Sequence, residues 1–599
     1  MSGPRDTYER RLAERRAELA AADRRDAAIA HLRLVVFVAG TALAIAAARG
    51  VVDWGWVWLP AAGFLALVVV HGRLLAGRAC VEAGCRHYER GLARVDGRFA
   101  GTGVTRTDFA DAAHPYAADL DLFGRGSLFE LLCTARTRAG EATLAAWLLA
   151  PAGAEEVRAR QAAVAELRPR VDLREDLEVL AGGVRAAVDP ERLAAWGAAP
   201  ADLPGRGARL AALLLSAFAL AALLAWAFLD APLAPFLAAV GAELAVTHAW
   251  RDRVGRVTST IDRAAAELAV LARVVERFQR EPAESPRLAE LRSRLAPASA
   301  AARIRQLARL VQWLDARRNQ LFAPIALVLM WPVHFALAIE AWRQRWGRAV
   351  GGWLAAVGEL EALAALAAYA YEHPRDPFPE VVEAGPLLDG EGLAHPLIDV
   401  RRAVPNDVRL GGRLRVLMVS GSNMSGKSTL LRTVGTNVVL ALAGAPVRAR
   451  ALRLSPLAVG ATLRVQDSLE TGVSRFYAEI TRLRQLVDLA SGPTPLLFLL
   501  DEILGGTNSA DRTVGAESVI RGLVEKGAIG LVTTHDLALA DAIASLGDAA
   551  ANVHFEDRLE AGRLHFDYRL RPGVVTRSNA LELMRAVGLD VGAGAPQGG

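Results

Sequence analysis

The sequence predicts a parallel-sheet α/β domain behind an all-α region that carries two transmembrane helical hairpins. Three observations carry this reading. From about Val381, short β-rich runs (Leu414–Ser420, Leu496–Leu500, Ala528–Thr533) alternate with helical patterns, as strands and crossover helices do in a parallel sheet. The first of these runs enters Gly421-Ser-Asn-Met-Ser-Gly-Lys-Ser-Thr429 and then a helical pattern, the context of a P-loop NTPase fold. Upstream, charge-poor apolar runs stand in pairs between arginine-rich flanks.

Each part follows from its residues. The chain has 599 residues, 53% hydrophobic and 23% charged, which excludes a disordered or fibrous protein. Its length implies several domains at roughly 150 residues each. The 70 basic and 65 acidic residues leave +5, too little to identify a nucleic-acid partner from bulk charge. Cys80, Cys85 and Cys133 make neither a disulfide framework nor a tetrahedral metal set. Lysine is rare: Lys427 and Lys526 stand alone among the 70 basic residues.

Met1–Ala30 alternates arginine with acids at helical spacing and reads as a solvated amphipathic helix. Leu34–Ala48 and Trp54–Val70 follow, with a tight turn at Gly50–Asp53. A ~30 Å hydrocarbon core wants about 20 residues; snorkelling Arg33 and Arg49 extend the short first arm, and Trp54, Trp56 and Trp58 suit an interfacial belt. Leu210–Leu229 with Pro232–Val246 forms the second predicted hairpin, its second arm weakened by Glu243. Arginine outside both pairs places the flanks in the cytoplasm and the turns at Asp53 and Asp230 outside. A fifth run, Leu321–Ile339, holds Pro324, Pro332 and His334, and is assigned to a buried or surface-dipping helix.

Leu128–Leu149, Ala154–Leu180, Ile261–Gln279, Pro286–Leu295, Ala302–Asp315 and Trp342–Tyr371 read as helices, and His373–Pro379 as a linker. In the loop Gly421, Ser422, Asn423, Met424, Ser425, Gly426, Lys427, Ser428 and Thr429, backbone N–H groups wrap phosphates and the helix N-terminus adds its dipole. Lys427 is expected to neutralise the β and γ phosphates of ATP, and Ser428 to hold Mg²⁺. The apolar strand Leu496–Leu500 ends in Asp501 and Glu502, read as the Mg²⁺ carboxylate and the residue orienting the attacking water. A third strand ends at His535, placed to sense the γ-phosphate.

With these residues in place, the chain resembles the MutS family of DNA mismatch repair ATPases. The family's GPNMGGKST is similar to the loop at 421–429, its DEIGRGTST..D to Asp501–Asp511, and its THxxxL to Thr534–Leu539. Gly472–Glu479 is similar to GRSTFMVE, whose serine, here Ser474, reaches the γ-phosphate of the partner subunit. His395-Pro-Leu and Pro405-Asn-Asp407 resemble the entry to the ATPase domain; Tyr568–Gly573 and Arg577–Leu581 resemble its closing dimer segment. Ser127–Leu132, Trp147–Pro151 and Arg160–Leu167 look like the start of the family's helical core, and Glu359–Ala367 like its last lever helix.

The resemblance implies an ABC/MutS-type ATPase domain over 381–599 and helical core and lever over 108–204 and 256–380. The hairpins occupy 1–100, with spans of about 33–49 and 54–70, and 205–255. It further implies a homodimer, DNA binding and DNA-dependent ATPase activity. A membrane hairpin stands where the mismatch-reading domain and its Phe-x-Glu wedge are expected, and neither a β-rich clamp insertion nor a terminal nuclease domain is visible. Ala403 takes the place where many members stack an aromatic on adenine, and Ser422 and Ser425 replace a proline and a glycine. Three functions compete: a DNA-dependent ATPase on the cytoplasmic membrane with its ATPase domain in the cytoplasm, an ATP switch for a protein partner, and an ATP-driven transporter. The transporter is disfavoured because GVSRF replaces an LSGGQ-type segment and Glu243 is nearly alone in the apolar spans.

Overall fold

The charged N-terminal stretch and the first apolar run form one continuous helix, Pro4–Ala48, in the computed structural model. The structure describes residues 3–181, 189–262, 264–296, 299–320, 322–422, 425–463, 475–505, 509–560 and 563–574. Two units divide the chain: residues 1–92, 135–143 and 170–362 make the first, and 93–134, 144–169 and 363–599 the second.

The first unit is helical. Gly50, at φ 73°, lets the chain leave the first helix, and the Asp53 carboxylate accepts from Gly55 N at 2.7 Å to cap the Trp54–Val57 turn. The helix Trp58–Val95 then returns so closely that a Cβ on Gly40 would lie 3.3 Å from Pro60. At the base of this hairpin His71 Nε2 lies 2.9 Å from Asp26 Oδ1, and Arg33 Nη1 lies 2.9 Å from His71 Nδ1. Leu34, Val35, Phe37, Leu59 and Leu65 face outward, as do Trp54, Trp56 and Trp58.

The second hairpin pairs Arg206–Phe228 with Ala234–Ser259. Small residues (Ala212, Ala219, Ala239) line its buried side, while Leu213, Leu214, Phe218 and Leu237 are exposed. Among the described residues four helices are long and apolar enough to cross a membrane: Pro4–Ala48, Trp54–Val95, Gly207–Phe228 and Trp331–Glu372. Burial separates them. The apolar window is 0% buried in the first two and 11% in the third, but 78% in the fourth, which therefore reads as a core helix.

Several sequence expectations need correction. The expected helix Leu128–Leu149 is two, Leu128–Leu132 and Arg138–Leu149. Just before the second, the buried Glu361 carboxylate accepts from Arg136 N at 3.2 Å and Thr137 N at 3.1 Å, satisfying donors a helix start leaves open. Burial pushes that carboxyl up to about 7. Ala154–Leu180 is likewise two helices, Ala154–Leu167 and Val171–Ala181, because Pro169 cannot donate and clashes with the preceding turn. The Leu321–Ile339 run breaks into Ala323–Val328 and the start of Trp331–Glu372, with Met330 at φ 44° between them. Met330, Val333, Ala336, Leu337 and Ile339 are buried. Pro332 sits in the first turn of the long helix, where its missing N–H costs nothing, so that helix begins well before Trp342.

Among the described residues the second unit holds two sheets. Their strands are β1 (Glu380–Val381), β2 (Leu387–Leu393), β3 (Asn406–Gly411), β4 (Val416–Ser420), β5 (Ala451–Leu454), β6 (Ala458–Thr462), β7 (Leu496–Asp501), β8 (Ile529–Thr534), β9 (Ala550–Glu560) and β10 (Arg563–Pro572). The smaller sheet has the order β1-β5-β2-β3, and the larger β10-β9-β4-β8-β7-β6. In the larger sheet β9, β4, β8, β7 and β6 run parallel, and β10 folds back antiparallel on β9. Val416, Met418, Leu496, Phe498, Leu500 and Val532 are completely buried, as the continuous apolar runs require of a sheet covered on both faces. The helix Lys427–Ala443 lies so close that a Cβ on Gly435 would fall 2.7 Å from Leu499 Cδ1.

Candidate nucleotide site

The parallel register brings three strand ends to one edge. Ser420 pairs with Thr534, and Asp501 with Thr533, so the loops after β4, β7 and β8 leave from the same side of the sheet. Ligands of open α/β sheets bind at such carboxyl ends. The loop after β4 opens at Gly421 and closes at Gly426, where φ is 102°; a side chain at Gly426 would be strained there.

Lys427 begins the helix and is buried at 5% exposure. Its ammonium donates to Gly421 O at 2.8 Å and Ser422 O at 2.9 Å, and lies 3.6 Å from Glu502 Oε1. Glu502 leaves β7 at φ 47°, its N–H donating to Thr533 Oγ1 at 3.1 Å. The same carboxylate oxygen lies 3.3 Å from His535 Nδ1. Lys427, Glu502 and His535, spread over more than a hundred residues, thus meet around one oxygen. Asp501 accepts from the Thr533 hydroxyl, which fixes the acid at the strand end. Ser428 and Thr429 occupy the first helical turn beside Lys427. Ser422 Oγ and Ser425 Oγ are buried without a hydrogen-bond partner. Asn423, Met424, Ser474, Thr507 and the Arg577–Leu581 segment lie outside the described residues.

The site has a second ring of supports. Asn406 donates to Tyr568 O at 2.9 Å and accepts from Leu570 N at 2.7 Å, tying β3 to β10. This holds the Tyr568 ring against the loop: a Cβ on Gly426 would lie 3.0 Å from its Cδ1. Sequence reasoning placed Tyr568 in a dimer segment and missed its place beside the loop; the alternation of Arg563–Pro572 was the available signal for that strand. His395 is buried behind the loop helix, and that burial, with the charge of Arg432, pushes its imidazole down to about 4.

The metal reading can be tested on donor chemistry. A Ser hydroxyl and one strand-end carboxylate form a hard oxygen pair, which suits Mg²⁺ completed by phosphates and water. Among the described residues there is no cluster of three or more His, Cys, Asp or Glu that would make an all-protein metal cage.

Comparison with known proteins finds relatives among MutS proteins. An endonuclease MutS2 of Thermomicrobium roseum is 36% identical over 235 residues, 37% of this chain and 29% of that protein. A DNA mismatch repair protein MutS 2 of Halobacterium salinarum is 34% identical over 238 residues, 39% of this chain and 27% of that protein. An endonuclease MutS2 of Thermus thermophilus is 36% identical over 196 residues, 33% and 25%. The chain therefore spans less than a third of the length of these relatives. Residues 417–591 match the family model for MutS domain V, so this part of the chain carries the ATPase domain seen in MutS-family proteins.

Proposed function

We propose that the chain is a membrane-anchored MutS-type ATPase that binds ATP with Mg²⁺ at the strand ends and acts on DNA through an ATP-gated homodimer, without stacking into a mismatch. The meeting of Lys427, Glu502 and His535 carries the catalytic part. Lys427 offers a positive charge to the β and γ phosphates, and the backbone N–H groups after Gly421 offer donors. Glu502 orients the attacking water, and His535, held by the same carboxylate oxygen, reads whether the γ-phosphate is present. Ser428 and Asp501 would hold Mg²⁺, which supplies charge neutralisation on the phosphate oxygens. Ser474 from a second subunit would complete the site.

Exposed apolar faces on both hairpins and the tryptophans at the first turn support anchoring in the cytoplasmic membrane, with the ATPase domain in the cytoplasm. One observation favours a second reading, an ATP switch for a protein partner without DNA. Many arginines of the helical unit are matched to carboxylates: Arg78 to Asp23 at 2.6 Å, Arg277 to Asp176 at 2.6 Å and Arg256 to Asp202 at 2.9 Å. Such cations are partly neutralised before any phosphate arrives.

The deciding experiment measures Mg²⁺-dependent ATP hydrolysis and nucleotide binding in detergent. Wild type should turn over slowly. Glu502→Ala should bind ATP and leave it intact, because water activation is lost while phosphate contacts remain. Full turnover in Glu502→Ala would remove the assignment.

A further inference from the structure

Glu243 was the polar exception in the second hairpin, and the structure gives it companions. Ser216, on the helix Arg206–Phe228, donates its hydroxyl to Glu243 Oε1 at 2.8 Å, and the same hydroxyl lies 3.0 Å from His334 Nε2. Three helices contribute one residue each. Glu243 is 1% exposed, and its other oxygen, Oε2, has no hydrogen-bond partner; nor has Nδ1 of His334. Polar groups left open in an apolar hairpin are costly, and ones that persist there mark ion or proton pathways.

The connectivity excludes a hydrolytic triad, in which the imidazole stands between hydroxyl and acid. Here the hydroxyl is in the middle. The geometry points to a proton-transfer element, with Ser216 bridging His334 and Glu243 and the two unpartnered atoms serving as its open ends. The step balances. With His334 doubly protonated and Glu243 ionised, the Nε2–H bond breaks as a new H–Oγ bond forms. The hydroxyl's original proton leaves Oγ for Oε1 of Glu243. Ser216 ends as a hydroxyl again, His334 as neutral imidazole and Glu243 as carboxylic acid, so one proton has moved and no electron has. Of the charged groups on these helices, Arg209, near the start of the Ser216 helix, bears on His334. Glu340 and Arg343 on the His334 helix pair with each other at 2.8 Å, and His248 and Arg251 lie beyond Glu243 on its own helix. Among the described residues Ser216 is the hydrogen-bond partner that Glu243 meets.

This inference rests on the membrane reading of the second hairpin, and the test separates the two. The full chain is reconstituted into phosphatidylcholine vesicles holding a pH-sensitive dye, with valinomycin and potassium to clamp the voltage. Vesicle flotation reports insertion, and the dye reports proton flux after a pH step. Wild type should dissipate the step faster than protein-free vesicles. Ser216→Ala should slow that flux about tenfold, Glu243→Gln should abolish it, and Ser216→Thr, which keeps a hydroxyl, should retain it. Protein that floats with the vesicles but conducts no better than empty ones overturns the relay and leaves the hairpin standing. Wild-type flux in Ser216→Ala or Glu243→Gln also overturns it. A chain that fails to float overturns both readings.

Discussion

Two buried cations show how differently the two units use charge. Arg343, in the helical unit, is 3% exposed and spends its guanidinium on both oxygens of Glu340, on Asp202 Oδ2 at 3.3 Å and on the carbonyls of Trp196 and Pro200. Lys427, at the strand ends, is nearly as buried but rests on two backbone carbonyls, with its closest carboxylate at 3.6 Å. A rigid planar fork saturated by partners holds structure together. A flexible ammonium on weak acceptors can exchange them for phosphate oxygens. Burial alone does not mark a functional charge; the quality of its partners does.

The sharpest way to break that contrast is to remove each cation. Lys427→Ala should weaken ATP binding by at least about a hundredfold while lowering stability little, because the ligand-free fold loses only two carbonyl contacts and a loose ion pair to the half-exposed Glu502. Arg343→Ala should leave Glu340 buried without its guanidinium and cost about 3–5 kcal/mol of stability, with ATP affinity per folded molecule unchanged. Isothermal titration with ATP and thermal melts measure both. Equal nucleotide affinity in wild type and Lys427→Ala would end the phosphate-site assignment.

The same contrast explains what was legible in the sequence. The candidate phosphate loop could be read because its chemistry is contiguous: a strand and a nine-residue motif that runs into a helix, marked by a lysine in a nearly lysine-free chain. Asp501, Glu502 and His535 were legible because each follows an apolar strand end. Tyr568 was not, since its place beside Gly426 depends on Asn406, far away in the chain. Ser216, Glu243 and His334 carry no local pattern at all; three helices bring them together. Pro169 was visible, but the apolar periodicity on either side hid the break it makes.

A second test asks whether the strand-end site is complete in one chain. If Ser474 acts across a dimer, mixing Lys427→Ala with Ser474→Ala protein should rebuild one intact site per heterodimer. Random exchange makes half the dimers mixed, so activity should recover to about a quarter of wild type. Neither variant alone should turn over. No recovery under demonstrated subunit exchange would confine the site to a single subunit.

A third, smaller effect tests the support behind the loop. His395 is buried and its folded pKa falls to about 4, below an unfolded value of about 6.5. The unfolded chain therefore binds the extra proton first. Stability is fully present above about 6.5 and declines as pH falls toward 4, by up to about 3 kcal/mol. Melts of wild type between pH 7.5 and 4.5 should show this loss, and His395→Gln should flatten the part of it within that window. An unchanged slope in the variant would assign the acid sensitivity to other groups.

The smallest expected effect concerns DNA, and it sets the matched arginines directly against a polyphosphate. A protein that neutralises Z phosphates shows a salt slope near −0.9Z for duplex DNA. Arginines already paired with carboxylates, such as Arg78 with Asp23 and Arg277 with Asp176, must give up those partners to contribute, so their net gain is small. We expect weak duplex binding with a slope equivalent to only about two or three phosphates, modulated by ATP. If, as proposed, no side chain stacks into a base step, a G·T mismatch should be preferred by no more than about threefold over matched DNA. Fluorescence anisotropy over a salt series measures both quantities. A steep slope would mean that the ion pairs open readily on DNA, and a strong mismatch preference would require a wedge that the reading excludes. No binding at the lowest salt would leave the protein-partner switch as the function of the ATP site.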